Sequence, residues 1–445
     1  MPMLSHDSPV TFRDPLPQRV DVVVIGGGIA GIASAWFLAE RGDRVLVVEK
    51  GRIAGEQSSR NWGWVRQQGR DAAELPIMME SNRIWRGLAA ATGSGDLAFT
   101  QSACVKLVEN EEAVGGMEAW HAIAREHQLD TVLLGAGEVE NRFAAMGGSF
   151  VGGMMTASDG RAEPERAVPA WARALKDRGV TVIEECAARL PDIEGGRITG
   201  VITEKGRVAC DRLLLAGGAW SSGFAANCGI DLAQLVVRST AARTHPSDDI
   251  LPLNMSVPGL ATRRRADGGY TVSTGDVAEH YVGPPSFRHA VRFVPLLRKS
   301  ARDVRLRPAA PAGFPGSWGL TRRWSADEES PYERQRVLNP PPSPLVIRRL
   351  EERLPRRAPA LARAGLAEAW AGMIDVTPDA VPMLGELPIP GLFVATGFSG
   401  HGFGIGPAIG RIMADLVTGR SPGHDLQRFR PGRFADGTRI VPGPY

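Results

Sequence analysis

The chain has 445 residues, more than one core usually spans, and its 43% hydrophobic and 23% charged residues are those of an ordinary soluble globular protein. A net charge of +3 is too small to argue for nucleic acid as a partner. The 4 cysteines (Cys104, Cys186, Cys210, Cys228) show no CxxC or Cys/His spacing, so the sequence offers no metal site or disulfide framework and points to a reducing, cytoplasmic setting.

The first twenty residues lack the apolar core of a signal peptide. The apolar stretch from Val22 to Leu38 is broken by glycines and ends against Glu40 and Arg41, so no integral membrane segment is expected there. It reads instead as strand, turn and helix. Asp21 to Ile25 is a β-branched run suited to a strand buried on both faces. Gly26-Gly27-Gly28-Ile29-Ala30-Gly31 follows and matches G-x-G-x-x-G at Gly26, Gly28 and Gly31. A helical stretch closes at Gly42, and a second β-rich run from Arg44 to Val48 leads to Glu49, 21 residues after Gly28, and Lys50. The first glycine permits the tight turn, the second lets backbone N–H groups approach a pyrophosphate, and the third lets the helix pack on the strand. Glu49 suits a ribose hydroxyl and would repel a 2′-phosphate, which argues against NADP.

The next segment, Gly55-Glu56-Gln57-Ser58-Ser59-Arg60-Asn61-Trp62-Gly63, resembles the FAD-dependent amino-acid and amine oxidoreductases that include D-amino-acid dehydrogenase, glycine oxidase and the sarcosine oxidase β chain. By that resemblance Gln57, Ser58 and Ser59 would contact non-covalently bound FAD, with Arg60 and Gly63 close by. Further on, Asp159-Gly160-Arg161-Ala162-Glu163-Pro164 introduces a helix. The resemblance implies that backbone near Cys186, Ala187 and Ala188 passes the adenine. Asp211 to Ser221 looks like the family's strand and glycine turn, with Ala216, Gly217 and Trp220 beside the dinucleotide. A strand ending in Ala-Gly-Gly-Ala equally suits a close-packed structural turn.

The C-terminal part is the most specific. Trp370-Ala371-Gly372-Met373-Ile374-Asp375 precedes the strand Gly391 to Thr396, which opens into Gly397-Phe398-Ser399-Gly400-His401-Gly402-Phe403-Gly404-Ile405-Gly406-Pro407. These glycines would let the chain lie flat on a planar ring. A helix beginning near Pro407 would aim its positive end at the flavin. Gly372, Gly397, Ser399, Gly400, His401, Gly402, Phe403 and Gly404 are therefore candidate cofactor contacts.

The resemblance implies oxidation of a C–N bond in a small amine or amino acid to an imine, by hydride transfer to flavin N5. The flavin carries the hard chemistry, so no nucleophile–base pair is needed, and none is evident. Related oxidases often place a carboxylate-binding arginine where Ile374 stands; its absence favours secondary amines or modified amino acids. Arg66 is the leading cation for a carboxylate, ahead of Arg264 and Arg323, because Trp62-Gly63-Trp64-Val65-Arg66 follows directly on the flavin segment. Arg66, Trp64 and His401 are the candidate catalytic residues. A packed aromatic turn with an exposed arginine is the alternative. The same fold also hosts 2-hydroxy-acid oxidation, and the chain could be the FAD-binding β-type subunit of a heteromeric oxidase. The electron acceptor (oxygen, a quinone or another carrier) and homo-oligomer formation stay open.

The expected fold class is α/β: a Rossmann-like FAD domain from residues 18–90, 150–235 and 365–425, interleaved with a substrate domain from 91–149 and 236–364. The resemblance implies a mostly antiparallel sheet for the second. Pro308 to Pro344 reads as a long surface loop able to cover the active site or form a subunit contact, and 426–445 as a tail, weakly ordered from Arg430 to Tyr445.

Overall fold

The structure, a computed structural model, describes residues 3–443. Strand β1 (Val22–Ile25), helix α1 (Ile29–Glu40) and strand β2 (Val45–Val48) open a six-stranded sheet among the described residues. Its order runs Met383–Glu386, Leu392–Thr396, Arg212–Leu215, β1, β2, Thr181–Ile183, and only the Met383–Glu386 edge is antiparallel. The uniformly apolar strands follow from burial of both faces. Val22 and Val24 pack toward α1 and the C-terminal helix Gly402–Val417, while Val23 joins Leu46 and Leu213 on the other side. The two helices pack tightly because a Cβ on Gly410 would collide with Ala33, and one on Gly406 with Ile29.

The second sheet has ten strands among the described residues and is mostly antiparallel, with parallel pairs only where Asn254–Val257 meets Cys104–Val108 and Ala278–Tyr281 meets Val304–Arg307. Two segments expected in the nucleotide half belong to this sheet. Gly152–Thr156 pairs with Cys104–Val108, and Leu366–Val376 runs antiparallel along nearly all of Leu235–Thr244. Backbone pairing partners of this kind are set by tertiary contacts, which local sequence does not report. The long strand Leu366–Val376 thus lies in the larger sheet, and the chain continues from it into the nucleotide sheet.

The segment from Pro308 to Ser343 is mostly irregular but far from loose. Phe314, Trp324, Tyr332 and Leu338 are buried, and Arg189 pairs with Glu333 as Arg336 does with Glu204. The C-terminal tail likewise differs from expectation, because its polar residues find buried partners. Arg433 enters the protein to pair with Asp379 at 2.8 Å, and Gly443 N–H donates to the Asp379 carbonyl. No helix among the described residues is long and apolar enough to cross a membrane.

Candidate active site

One cavity of about 990 Å³ runs from the β1 turn to the face of the larger sheet. That is the upper end of the ~300–1,000 Å³ range for small-molecule sites. At its first end the glycine turn is sterically obligatory. Gly26 has φ +111, and a Cβ there would strike the Ala216 carbonyl; one on Gly31 would strike the Gly26 carbonyl. The first turn of α1 carries no acidic residue, and Gly28, Ile29 and Ala30 line the cavity. Ser58 Oγ accepts from Ile29 N at 2.9 Å. Glu49 is held by the turn it serves, accepting from Gly27 N at 2.7 Å and Gly51 N at 2.8 Å, and burial raises its carboxyl above the usual range.

Several expected contacts are placed differently. Gly31, Ser59, Gly63, Ala187 and Gly397 lie behind the cavity wall, while Ala188, next to Ala187 in the expected adenine segment, lines it. Gly63 packs its Cα against the Ala162 carbonyl and the Arg263 side chain, and Ser59 Oγ bonds to the Glu56 carbonyl. Arg60 is buried, and its guanidinium donates to Asn339, Ala371, Leu4 and Gly55. Lys50 gives its three protons to Glu56, Gln335 and Arg336. Both cations therefore brace the protein, and Glu56 becomes a hub that also accepts from Trp220 Nε1 and Leu338 N.

The flavin-facing loop carries the largest difference from expectation. The helix begins at Gly402, with His401 at its cap, five residues earlier than a start at Pro407. Proline is tolerated there within the helix, whose glycines serve close helix packing: the Gly404 carbonyl accepts from Ser81 Oγ and Trp85 Nε1. Gly400 at φ +85 and Ser399 at φ +51 turn the chain into the helix. Gly400, His401, Gly402, Phe403 and Gly404 face the cavity with no acidic residue in the helix's first turn, so its positive end opens toward it. Asp375 anchors this loop by accepting from Gly397 N at 2.6 Å and Thr396 Oγ1 at 3.1 Å. Burial raises the Asp375 carboxyl.

His401 Nδ1 lies 3.3 Å from Glu74 Oε2, a fully buried carboxylate at the start of the helix Glu74–Thr92. Burial, then the neighbouring Arg70 charge, pushes the imidazole below its ordinary range against the pull of Glu74. Burial alone would raise Glu74, but His401, Arg70 and Arg428 outweigh it and hold it low.

Trp62 and Trp64 meet edge to face at 5.4 Å, and Arg66 lies over the Trp64 ring at 5.6 Å. All three line the cavity. Arg66 is half-buried and forms no ion pair among the described residues. Its position is fixed from behind. Trp64–Val65 pairs with Gly160–Arg161, and Asp159, pushed up to about 6 by burial, accepts from Gln67 N at 2.7 Å and Gln68 N at 3.1 Å. Arg264 and Arg323, the other carboxylate candidates, are not in the wall of this cavity. Sequence reasoning missed Lys106 and Glu56. An isolated lysine inside the apolar run Cys104–Val108 was the available signal for the first.

The residues fit an adenine dinucleotide: a glycine turn in which a Cβ on Gly26 or Gly31 would strike backbone, and two helix starts free of acidic side chains, adjoin one cavity with Glu49 and Ser58. No group of three metal-ligating side chains occurs among the described residues.

A family model described as FAD dependent oxidoreductase, DAO, matches residues 21–416. The sarcosine oxidase subunit beta of Rhodobacter capsulatus is 24% identical, over 96% of this chain and 92% of that protein. The glycine oxidase of Geobacillus kaustophilus is 26% identical over 93% and 97%. Among solved structures, the L-amino acid deaminase from Proteus myxofaciens, in complex with anthranilate, superimposes with a TM-score of 0.90 at 29% identity, covering 97% of each chain.

Proposed function

Because the chain belongs to the DAO family of FAD-dependent oxidoreductases, enzymes acting on amino acids or amines, we propose that it oxidises the C–N bond of a small, carboxylate-bearing amine to an imine. The observation that carries this reading is the placement of Arg66 and the Trp62–Trp64 pair in the same cavity as the dinucleotide-binding turn. The α1 turn, Glu49, Ser58 and the Ser399–Gly404 loop would hold FAD non-covalently, and the cofactor would supply the two-electron acceptor for the hydride of the substrate α-carbon.

Arg66 offers a planar fork of donors to a substrate carboxylate and fixes the α-carbon at a set distance from it. The two tryptophans wall the amine and exclude water, which favours its neutral form. Oxidation removes a hydride from carbon and a proton from nitrogen; the imine product hydrolyses to a carbonyl compound and an amine or ammonia. With its lowered pKa, His401 stays neutral at physiological pH, so it orients rather than adds a charge. No arginine stands at Ile374, which leaves room for an N-substituent and favours secondary amines or modified amino acids.

The test is an absorption spectrum of the purified protein, repeated anaerobically with amines, D- and L-amino acids, N-methylated amino acids and 2-hydroxy acids. Bleaching of the flavin bands by an amine-class compound is expected. Bleaching by a hydroxy acid alone would overturn the reading.

A second reading, one subunit of a larger oxidase, has its own observation. Phe287, Val291, Leu306 and Trp318 are each more than half exposed, and the Phe287 and Trp318 rings pack at 6.1 Å. An apolar surface of this kind suits a partner, as the name of the sarcosine oxidase subunit relative suggests.

A further inference from the structure

We infer that the substrate carries a second anionic group, held by Lys106 while Arg66 holds the carboxylate next to the reacting carbon; this rests on the amine-oxidation reading above. Lys106 is the one exposed residue of the strand Cys104–Val108. It stands in register with Ser256 of the neighbouring strand, and both line the cavity. Strand alternation puts Cys104 on the same face, and that thiol also lines the cavity.

Three other cations along the wall are neutralised by a partner carboxylate, Arg60 gives its protons to neutral acceptors, and the buried Glu74 carboxylate attracts Arg70. Lys50 is paired with Glu56, Arg52 with Glu185 and Arg336 with Glu204. Arg66 and Lys106 differ: among the described residues neither forms an ion pair or a side-chain hydrogen bond. The charges that act on Lys106 are the repelling Arg66 guanidinium and the Cys104 thiol, with no carboxylate among them. Enclosure by the cavity walls and that repulsion pull the Lys106 ammonium below its ordinary range. Two like charges facing one cavity repel, and Asp159 attracts Arg66 only from behind the wall, so a ligand that brings a counter-charge into the cavity relieves that repulsion. A monocarboxylate would neutralise one of them. A dianion neutralises both, so the chemistry selects an acidic amino acid, or an N-substituted derivative of one, over a neutral amino acid.

The test uses the FAD-loaded protein and non-oxidisable ligands. Succinate and glutarate are titrated against propionate and butyrate, followed by calorimetry and by perturbation of the visible flavin spectrum. The dicarboxylates are expected to bind about tenfold tighter or more, the effect of one added charge-assisted contact. Lys106→Gln should abolish that advantage, leave monocarboxylate binding unchanged, and keep flavin content and Tm. Arg66→Gln should weaken both classes. Equal binding of the two classes by the natural protein would overturn the inference. So would equal weakening of both by Lys106→Gln, which would put both cations on one carboxylate. The ligands need no turnover, so the outcome is separable from the reaction itself. Flavin bleaching by amines without preference for acidic ones would sink this inference alone. Dicarboxylate binding without bleaching by any amine would sink the amine-oxidation reading.

Discussion

His401 is the N-cap residue of the C-terminal helix and its imidazole Nδ1 lies 3.3 Å from the fully buried carboxylate of Glu74, so the start of that helix and the start of the helix Glu74–Thr92 are joined by one titratable pair. Both groups have folded-state pKa values below their ordinary ones, through burial and Arg70 for His401, and for Glu74 through His401, Arg70 and Arg428 outweighing burial.

Stability should therefore depend on this pair in a defined direction. For each group the unfolded chain takes up protons before the folded one does, so stability falls as pH drops, first below about 6.5 for the histidine and then below about 4.5 for the glutamate. Asp159, pushed up to about 6, works the opposite way between about pH 4 and 6. The comparison is thus between variants: Tm measured from pH 7.5 to 5 should fall more steeply for the natural protein than for His401→Gln. Parallel curves would show that the pair does not govern acid stability.

Gly26→Ala should lose the flavin. Its φ of +111 and the collision of a Cβ with the Ala216 carbonyl both oppose any side chain. Gly42→Ala is the control, because Gly42 has φ +89 with open space around it and should cost only about 1–2 kcal/mol of backbone strain. The flavin-to-protein absorbance ratio and Tm of both variants decide the matter; a stoichiometric flavin in Gly26→Ala would refute the cradle.

Arg66→Gln should raise KM for a carboxylate-bearing amine by about 10–100-fold, with a smaller change in kcat, since a charged hydrogen bond contributes about 1.5–3 kcal/mol. Arg66→Lys should recover part of that loss, because a point charge remains while the planar fork does not. Steady-state kinetics on one substrate for all three proteins distinguishes a binding role from an exposed arginine, which would leave KM unchanged.

Asp159 positions the segment that carries Arg66 without entering the cavity. With its carboxyl near 6, protonation below that pH weakens acceptance from the Gln67 and Gln68 amides. KM should climb as pH falls through about 6, and Asp159→Asn should show a raised KM that no longer varies there, with flavin content unchanged. A pH-dependent KM retained in Asp159→Asn would assign the effect elsewhere.

Arg433 and Asp379 form an ion pair with side chains only 3% and 4% exposed. Arg433→Met leaves the Asp379 charge buried without its cation, a loss of about 3–5 kcal/mol. Urea denaturation measures it directly; a change under about 1 kcal/mol would mean that the tail is an accessory.

The sequence by itself determined the nucleotide half of the site. The strand, glycine turn, helix, second strand and acid are consecutive, and Gly26 is required by its backbone angle and Gly31 by the nearby Gly26 carbonyl, so local order carried the information. The cavity-facing positions of Trp64, Arg66 and His401 were legible for the same reason, since each adjoins a glycine-containing segment that lines the same cavity. Tertiary structure alone decided the rest. The pairing of Leu366–Val376 with Leu235–Thr244 joins segments more than a hundred residues apart, and the tail docks through Arg433 on buried Asp379, Arg428 on Asp71 and Phe429 in the core. Arg60 and Lys50 read as cofactor-side residues in sequence, yet the fold surrounds them with carbonyls and a carboxylate. Lys106 looks like a surface lysine, yet the sheet turns it into the cavity beside Arg66. A side chain's charge is written in the sequence, but whether that charge is spent on the protein or left for a ligand depends on neighbours that only the folded chain assembles.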